Sequence, residues 1–177
     1  MAKITIFINN IYTAGGVEKV VSLIANEFCK FHDVEIVSLY KTNDTAFFKI
    51  DERVQVKNIF TNRIYDPRKY IFYLLYKVNK YLKTNNTDVF IAAGMYNVPL
   101  TLGAKRNAKY IAWEHGNSYA INEGRIPNLG RKLAAKYADK IVVLTQDDME
   151  HNIKLFKTQN KIVQIYNPVE MVTLSNM

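Results

Sequence analysis

Apolar and polar positions alternate in blocks along this chain, and the blocks change period. Lys3-Ile-Thr-Ile-Phe-Ile-Asn9 is an apolar, β-branched run of the kind buried on both faces of a sheet. From Val17 to Phe31 the apolar residues Val17, Val20, Val21, Ile24, Ala25, Phe28 and Phe31 recur at helical spacing. Further strands are expected at Val34–Tyr40, Val54–Phe60, Val89–Ala93, Lys109–Glu114, Lys140–Leu144 and Lys161–Tyr166, with Val54–Phe60 alternating as an edge strand does. Between them the pattern predicts helices over Arg68–Lys83, Leu100–Arg106, Leu129–Tyr137 and after Thr145, which can cap its helix with Asp147 and Asp148 in the first turn. The Phe47-Phe48 pair is expected to tuck a loop against the core. Strand and helix alternate nearly throughout, so the expected fold is α/β, Rossmann-like, a largely parallel sheet with helices on both faces.

In such sheets ligands sit outside the carboxyl ends of the strands. Three stretches gather there: Asn9 to Gly16, Gly94 to Asn97, and His115 to Ser118. Gly15-Gly16, just before the first helix, suit either a phosphate at the helix N-terminus or a tight turn closing a βα unit. Glu114 and His115 are neighbours at the end of a strand, where successive side chains face opposite ways. On that basis only one of the two can point easily into the cleft, and His115 by itself reads equally as a packed histidine. Glu18 reads as a first-turn charge that complements the helix dipole.

Composition narrows the classes. With 177 residues, 49% hydrophobic and 23% charged, the chain fits one folded domain. Its one cysteine, Cys29, lies within the first helix pattern and has no partner for an internal disulfide, which favours a reducing compartment. No apolar run reaches membrane-spanning length and no signal peptide precedes the first strand, so a cytoplasmic location is expected. The net charge of +8 favours anionic partners. It is concentrated in one place: from Pro67 to Thr87 there is no acidic residue, and Lys69, Tyr73, Tyr76, Lys77, Lys80 and Lys83 fall opposite an inward stripe of Ile71, Leu74, Leu75, Val78, Tyr81 and Leu82. Lysines flanking tyrosines suit either an anionic membrane surface at the inner face of the cell or plain solvent.

Four motifs, in order, resemble the N-terminal half of a GT-B fold, family 4 type retaining glycosyltransferase. They are Gly15-Gly-Val-Glu-Lys19, Trp113-Glu-His-Gly116, Ala138-Asp-Lys-Ile-Val-Val-Leu-Thr145 and Ile165-Tyr-Asn-Pro-Val-Glu170. Thr145 stands where that family usually has Ser. The resemblance implies that residues 1–168 form the acceptor-side domain. Residues 169–177 would then start a linker toward a C-terminal domain that binds most of the nucleotide-sugar and is missing from this sequence. The family's donor-side Arg/Lys pair and Glu-x7-Glu motif have no counterpart here, so the chain alone is expected to be inactive. It implies further that Gly15 and Gly16 approach the donor diphosphate and that His115 hydrogen-bonds the transferred sugar. Acceptor contacts would come from Asn10, Tyr12, Tyr96, Asn97, Asn117, Ser118 and Tyr119. The expected co-substrate is a nucleotide-sugar, the acceptor a saccharide or a lipid-linked sugar, with no tightly bound cofactor and no metal required.

Other classes fit less well. A dinucleotide-binding dehydrogenase needs G-x-G-x-x-G after strand one and an acid ending strand two, where this chain has Gly15-Gly16 and Tyr40-Lys41. Nucleic-acid binding would interleave aromatics and basics on an exposed sheet, whereas here they fall on helices and in the expected core. A non-catalytic basic module for nucleotide or anionic membrane remains the alternative.

Overall fold

A computed structural model of the chain describes residues 1–62, 69–116 and 124–168. Within them seven strands form one sheet: β1 Lys3–Ile8, β2 Asp33–Tyr40, β3 Gln55–Phe60, β4 Val89–Ala93, β5 Lys109–Trp113, β6 Lys140–Val143 and β7 Ile162–Gln164. Five α-helices accompany them: α1 Gly16–Phe28, α2 Ile71–Thr84, α3 Val98–Thr101, α4 Arg125–Tyr137 and α5 Gln146–Phe156. Every strand pairing is parallel. The spatial order is β3-β2-β1-β4-β5-β6-β7, so the direction of winding reverses between β1 and β4. Crevices at the carboxyl ends of strands open where the order reverses.

Each face of the sheet has its own core. On one face Phe7, Val37, Phe90, Tyr110, Ala112, Ile141 and Val143 pack under α2, α3 and α4. On the other, Ile4, Ile6, Ile8, Ile36, Ile91 and Trp113 pack under Val20, Val21 and Ala25 of α1. Helices therefore lie on both faces, as the pattern predicts, but unequally. Toward β7 the α1 face thins out, and Val163 there is 38% exposed. In place of a helix, the β2–β3 connection uses an irregular loop, pinned to α1 where Asn26 donates to Lys49 O (3.0 Å) and accepts from Asp51 N (2.8 Å).

Several local expectations shift. Helix α1 ends at Phe28, and Phe31, expected on its inward stripe, is 71% exposed. Phe47 is likewise exposed and stacks edge-on against Phe48, 5.0 Å between ring centres, so the pair covers itself more than the core. Helix α4 starts at Arg125 rather than Leu129, with Pro127 inside its first turn, where its missing N–H costs nothing. Thr145 does cap α5: its Oγ1 accepts from Asp148 N at 3.1 Å. Asp139 of the Ala138-Asp-Lys motif accepts from Tyr110 N (2.7 Å) and pairs with Lys105, and so ties β5 to the start of β6.

Candidate functional site

A cavity of about 280 Å³ opens at the reversal point, lined by Val17, Gly94, Met95, Tyr96, Glu114, His115, Gly116 and Pro127. It draws on the ends of β4 and β5, the first turn of α1 and the first turn of α4. Val17, which follows the paired glycines directly, lines this cavity together with His115, whereas Gly15 and Gly16 are not part of its wall.

The two sides of that crevice are built differently. On the α1 side, Gly15 is extended (φ −141°, ψ 164°), a conformation open to any residue, and Gly16 begins the helix. Neither glycine has a positive φ, so the backbone conformation here does not itself call for glycine. A Cβ on Gly16 would meet nothing within 4 Å. What glycine leaves at this position is open space at the first turn of a 13-residue helix, the end that carries the positive pole of the dipole. Glu18 lies in the first turn of α1, as expected. Its carboxylate folds back over Gly15 and accepts from Thr13 Oγ1 at 3.0 Å.

The β4 and β5 side is dense. Gly94 has φ +92° and donates its N–H to Trp113 O (2.7 Å), turning the chain sharply off β4. Helix α4 approaches so closely that a Cβ on Gly130 would stand 1.9 Å from Met95 O. Next to Gly130, Arg131 donates Nε to Glu114 Oε2 (2.6 Å) and Nη1 to Asn128 Oδ1 (3.1 Å). Glu114 and Arg131 are buried, and Glu114 also accepts from Gly116 N at 3.0 Å. Both Glu114 and His115 line the cavity. The expected opposition of neighbouring side chains fails because β5 ends at Trp113 and strand alternation ends with it. The imidazole of His115 lies against the Trp113 ring, 4.4 Å between centres. Burial lowers its pKa to about 4, and its Nε2 has no hydrogen-bond partner among the described residues. At neutral pH the ring is uncharged, with one buried nitrogen still to be satisfied.

The remaining candidates divide. Tyr96 lines the cavity at 38% exposure, and its phenol is pushed up to about 12 by burial first and by the charge of Glu18 second. Asn97 is wholly buried and donates Nδ2 to Ala93 O (2.6 Å); it shapes the turn and lines no part of the cavity wall. Asn10 accepts from Tyr12 N (3.0 Å) and donates to Thr42 Oγ1 (2.9 Å), holding its own loop. Tyr12 donates its hydroxyl to Asn58 Oδ1 and faces a separate cavity of about 420 Å³ beneath residues 44–56. Asn10 and Tyr12 thus lie apart from the cavity of His115. Asn117, Ser118 and Tyr119 fall outside the described residues, as does the expected linker 169–177. The Glu114–Arg131 pair and the contact at Gly130 carried no sequence signal, since the partners lie 17 residues apart and Arg131 reads as one more cation on a basic helix.

On α2, Leu74, Val78 and Leu82 face inward, and Tyr81 donates to the buried carboxylate of Glu35, which also pairs with Lys57. Lys69, Tyr73, Tyr76, Lys80 and Lys83 are exposed on the other side, joined by Phe72 at 83%. Two residues depart from expectation. Ile71, assigned to the inward stripe, is exposed, and Lys77 is half-buried over the rings of Phe60 and Tyr73. Among the described residues no helix is long and apolar enough to cross a membrane.

No family model matches the chain. It is 34% identical over 173 residues to an uncharacterized glycosyltransferase of Haemophilus influenzae, covering 95% of this chain and 47% of that protein. It is 26% identical over 173 residues to a Campylobacter jejuni protein named GalNAc-alpha-(1->4)-GalNAc-alpha-(1->3)-diNAcBac-PP-undecaprenol alpha-1,4-N-acetyl-D-galactosaminyltransferase, covering 95% of this chain and 46% of that one. The chain thus spans about half the length of the curated relatives it matches. Among solved structures it superposes on Anabaena Alr3699/HepE, determined in complex with UDP and glucose, with a TM-score of 0.74 and 16% identity over 96% of this chain and 45% of that one. Over nearly its whole length the chain is homologous to proteins named as glycosyltransferases, and its fold is that of one Rossmann-like half of the GT-B architecture, consistent with the N-terminal half.

Proposed function

We propose that this chain is the acceptor-side half of a retaining hexosyltransferase that moves a sugar from a nucleotide-sugar to a saccharide or lipid-linked acceptor. The observation that supports the reading is the shared crevice: Val17, in the first turn of α1 beside the paired glycines, and His115, whose Nε2 has no hydrogen-bond partner among the described residues, line one cavity at the reversal point of the sheet.

Each side then has a part in the chemistry. Gly15 and Gly16 let a diphosphate approach the amides and positive end of α1. Glu18, lying over Gly15, swings aside when the phosphate arrives. Neutral His115 meets a hydroxyl of the transferred sugar through Nε2 and fixes its orientation in the transition state. Tyr96, uncharged at neutral pH, offers its ring and hydroxyl to the acceptor side. No step assigned to these residues calls for a metal.

Magnitudes require a second lobe. A helix-dipole contact contributes about 0.3–1 kcal/mol, and about 2 at best. Micromolar binding takes about 8 kcal/mol. The isolated chain therefore holds a nucleotide-sugar at millimolar strength or weaker and turns none over. UDP-sugars are the first donors to test, since UDP and glucose occupy the Anabaena structure. Titration calorimetry of this chain with UDP-glucose checks the claim: micromolar affinity would overturn it. In a two-lobed protein carrying this half, His115→Ala is expected to cut transfer at least about a hundredfold, and full activity would remove His115 from the site.

A lipid-linked acceptor, as in the name of the Campylobacter relative, brings the enzyme to a membrane. The stripe of Tyr73, Tyr76, Lys80 and Lys83 on α2, with Lys69 just before the helix, Lys77 behind the stripe and Phe72 beside it, supports peripheral docking on an anionic inner leaflet. Each basic residue near such a surface contributes about 1 kcal/mol. Flotation with phosphatidylglycerol vesicles should show binding at low salt that is lost at high salt. Binding that ignores salt, or none at all, counts against it.

A further inference from the structure

We propose that Glu114 and Arg131 are a positioning pair for His115: the carboxylate closes the turn that carries the imidazole, and the guanidinium cancels the carboxylate's charge so that the ring beside it stays neutral. The pair rests on the reading of His115 as the sugar-facing group.

The geometry is specific. Strand β5 stops at Trp113, but Glu114 N–H still donates to Val142 O at 2.8 Å, so the chain leaves the sheet at His115 itself. Glu114 Oε1 accepts from Gly116 N–H at 3.0 Å and bridges over His115 in doing so. Its Oε2 accepts from Arg131 Nε at 2.6 Å, which ties the turn to α4. The height of α4 is set in turn by the backbone approach of Gly130 to Met95 O.

Stability alone is a poor reason for such a pair. Two buried charges are often no better than apolar side chains of the same volume. What apolar substitutes would not supply is a hydrogen-bonded turn together with zero net charge next to an imidazole. The titratable groups around this cavity are few among the described residues. Tyr96 and Glu114 line it, with Arg131 paired to Glu114 behind the wall and Glu18 of α1 nearby, whose carboxylate bonds to Thr13. Glu114 precedes His115 in the chain and shares the cavity wall with it, so its compensation decides whether His115 is drawn into its charged form.

The test uses the 177-residue chain with isotope-labelled histidine. Only His32, His115 and His151 contribute imidazole signals, and His115→Gln assigns the relevant one. In Arg131→Met the titration midpoint of His115 should rise by about one pH unit or more, because the positive charge paired with Glu114 is removed. In Glu114→Gln it should stay low, and the double substitution should return it to near the unsubstituted value. A rise of the same size in all three variants would mean that the pair merely packs the site, and no movement in any would also overturn the proposal. If Arg131→Met does not fold, Glu114→Asp reads the same device. Shortened by one methylene, it should release the Gly116 amide to exchange roughly tenfold faster while core amides such as Ile6 stay protected; unchanged Gly116 exchange would refute the clamp. These readouts need no activity. The titration pattern can hold while His115→Ala spares transfer, in which case the sugar-facing reading fails and the clamp does not.

Discussion

The two sides of the crevice differ in what a glycine does there. At Gly130 a methyl group would collide with the Met95 carbonyl; at Gly16 it would meet nothing. One glycine lets two pieces of the fold touch, and the other keeps a space open. The same contrast runs through the charges. The β5 wall spends a buried ion pair on holding three residues still, while the carboxylate of Glu18 lies over the α1 wall on a flexible side chain. A group that must meet a reacting sugar gains from a rigid support, whereas a phosphate site gains from groups that can leave.

That comparison can be broken in several ways, and the largest effect is expected at the ion pair. Arg131→Ala takes the guanidinium away from a buried carboxylate and should cost about 3–5 kcal/mol in urea denaturation; a loss below about 1 kcal/mol would mean the dense wall is softer than its geometry.

Next comes pH. The folded pKa of His115 is about 4, below its ordinary value of 6.5. The unfolded chain therefore takes up the proton first on acidification. The stability contributed by the neutral ring is complete above about pH 6.5 and drains away as pH falls toward 4, by up to about 3 kcal/mol. Denaturation midpoints at several pH values should show that slope, and His115→Gln should flatten it.

Gly130→Ala is expected to destabilise by about 1–3 kcal/mol through overpacking against backbone. The smallest effect separates stability from function. Gly16→Ala, at a helical position with free space, should stabilise the chain by about 0.4–1 kcal/mol. In a two-lobed protein carrying this half, the same change should weaken nucleotide-sugar binding. Unchanged binding would leave that glycine without a part in the site.

Much of this was legible in the sequence. Strand and helix periods follow from which residues avoid water, and that preference is local, so Val89–Ala93 falls where the pattern puts it and β3 is indeed an edge strand. The Thr145 cap is likewise a matter of neighbouring residues. Parallel topology follows from the alternation, and it brings the ends of β1, β4 and β5 together without any long-range signal.

What the tertiary structure alone decided concerns partners distant along the chain. The sequence could not say that Arg131 crosses to Glu114, that Gly130 meets Met95, or that Tyr12 and Asn10 turn away toward another loop. Hydrophobic spacing records whether a side chain is buried, not what it is buried against. Hydrogen bonds and charges act over a few ångströms in space whatever the separation in sequence, so a carboxylate and a guanidinium 17 residues apart find each other only once the sheet and α4 are in place.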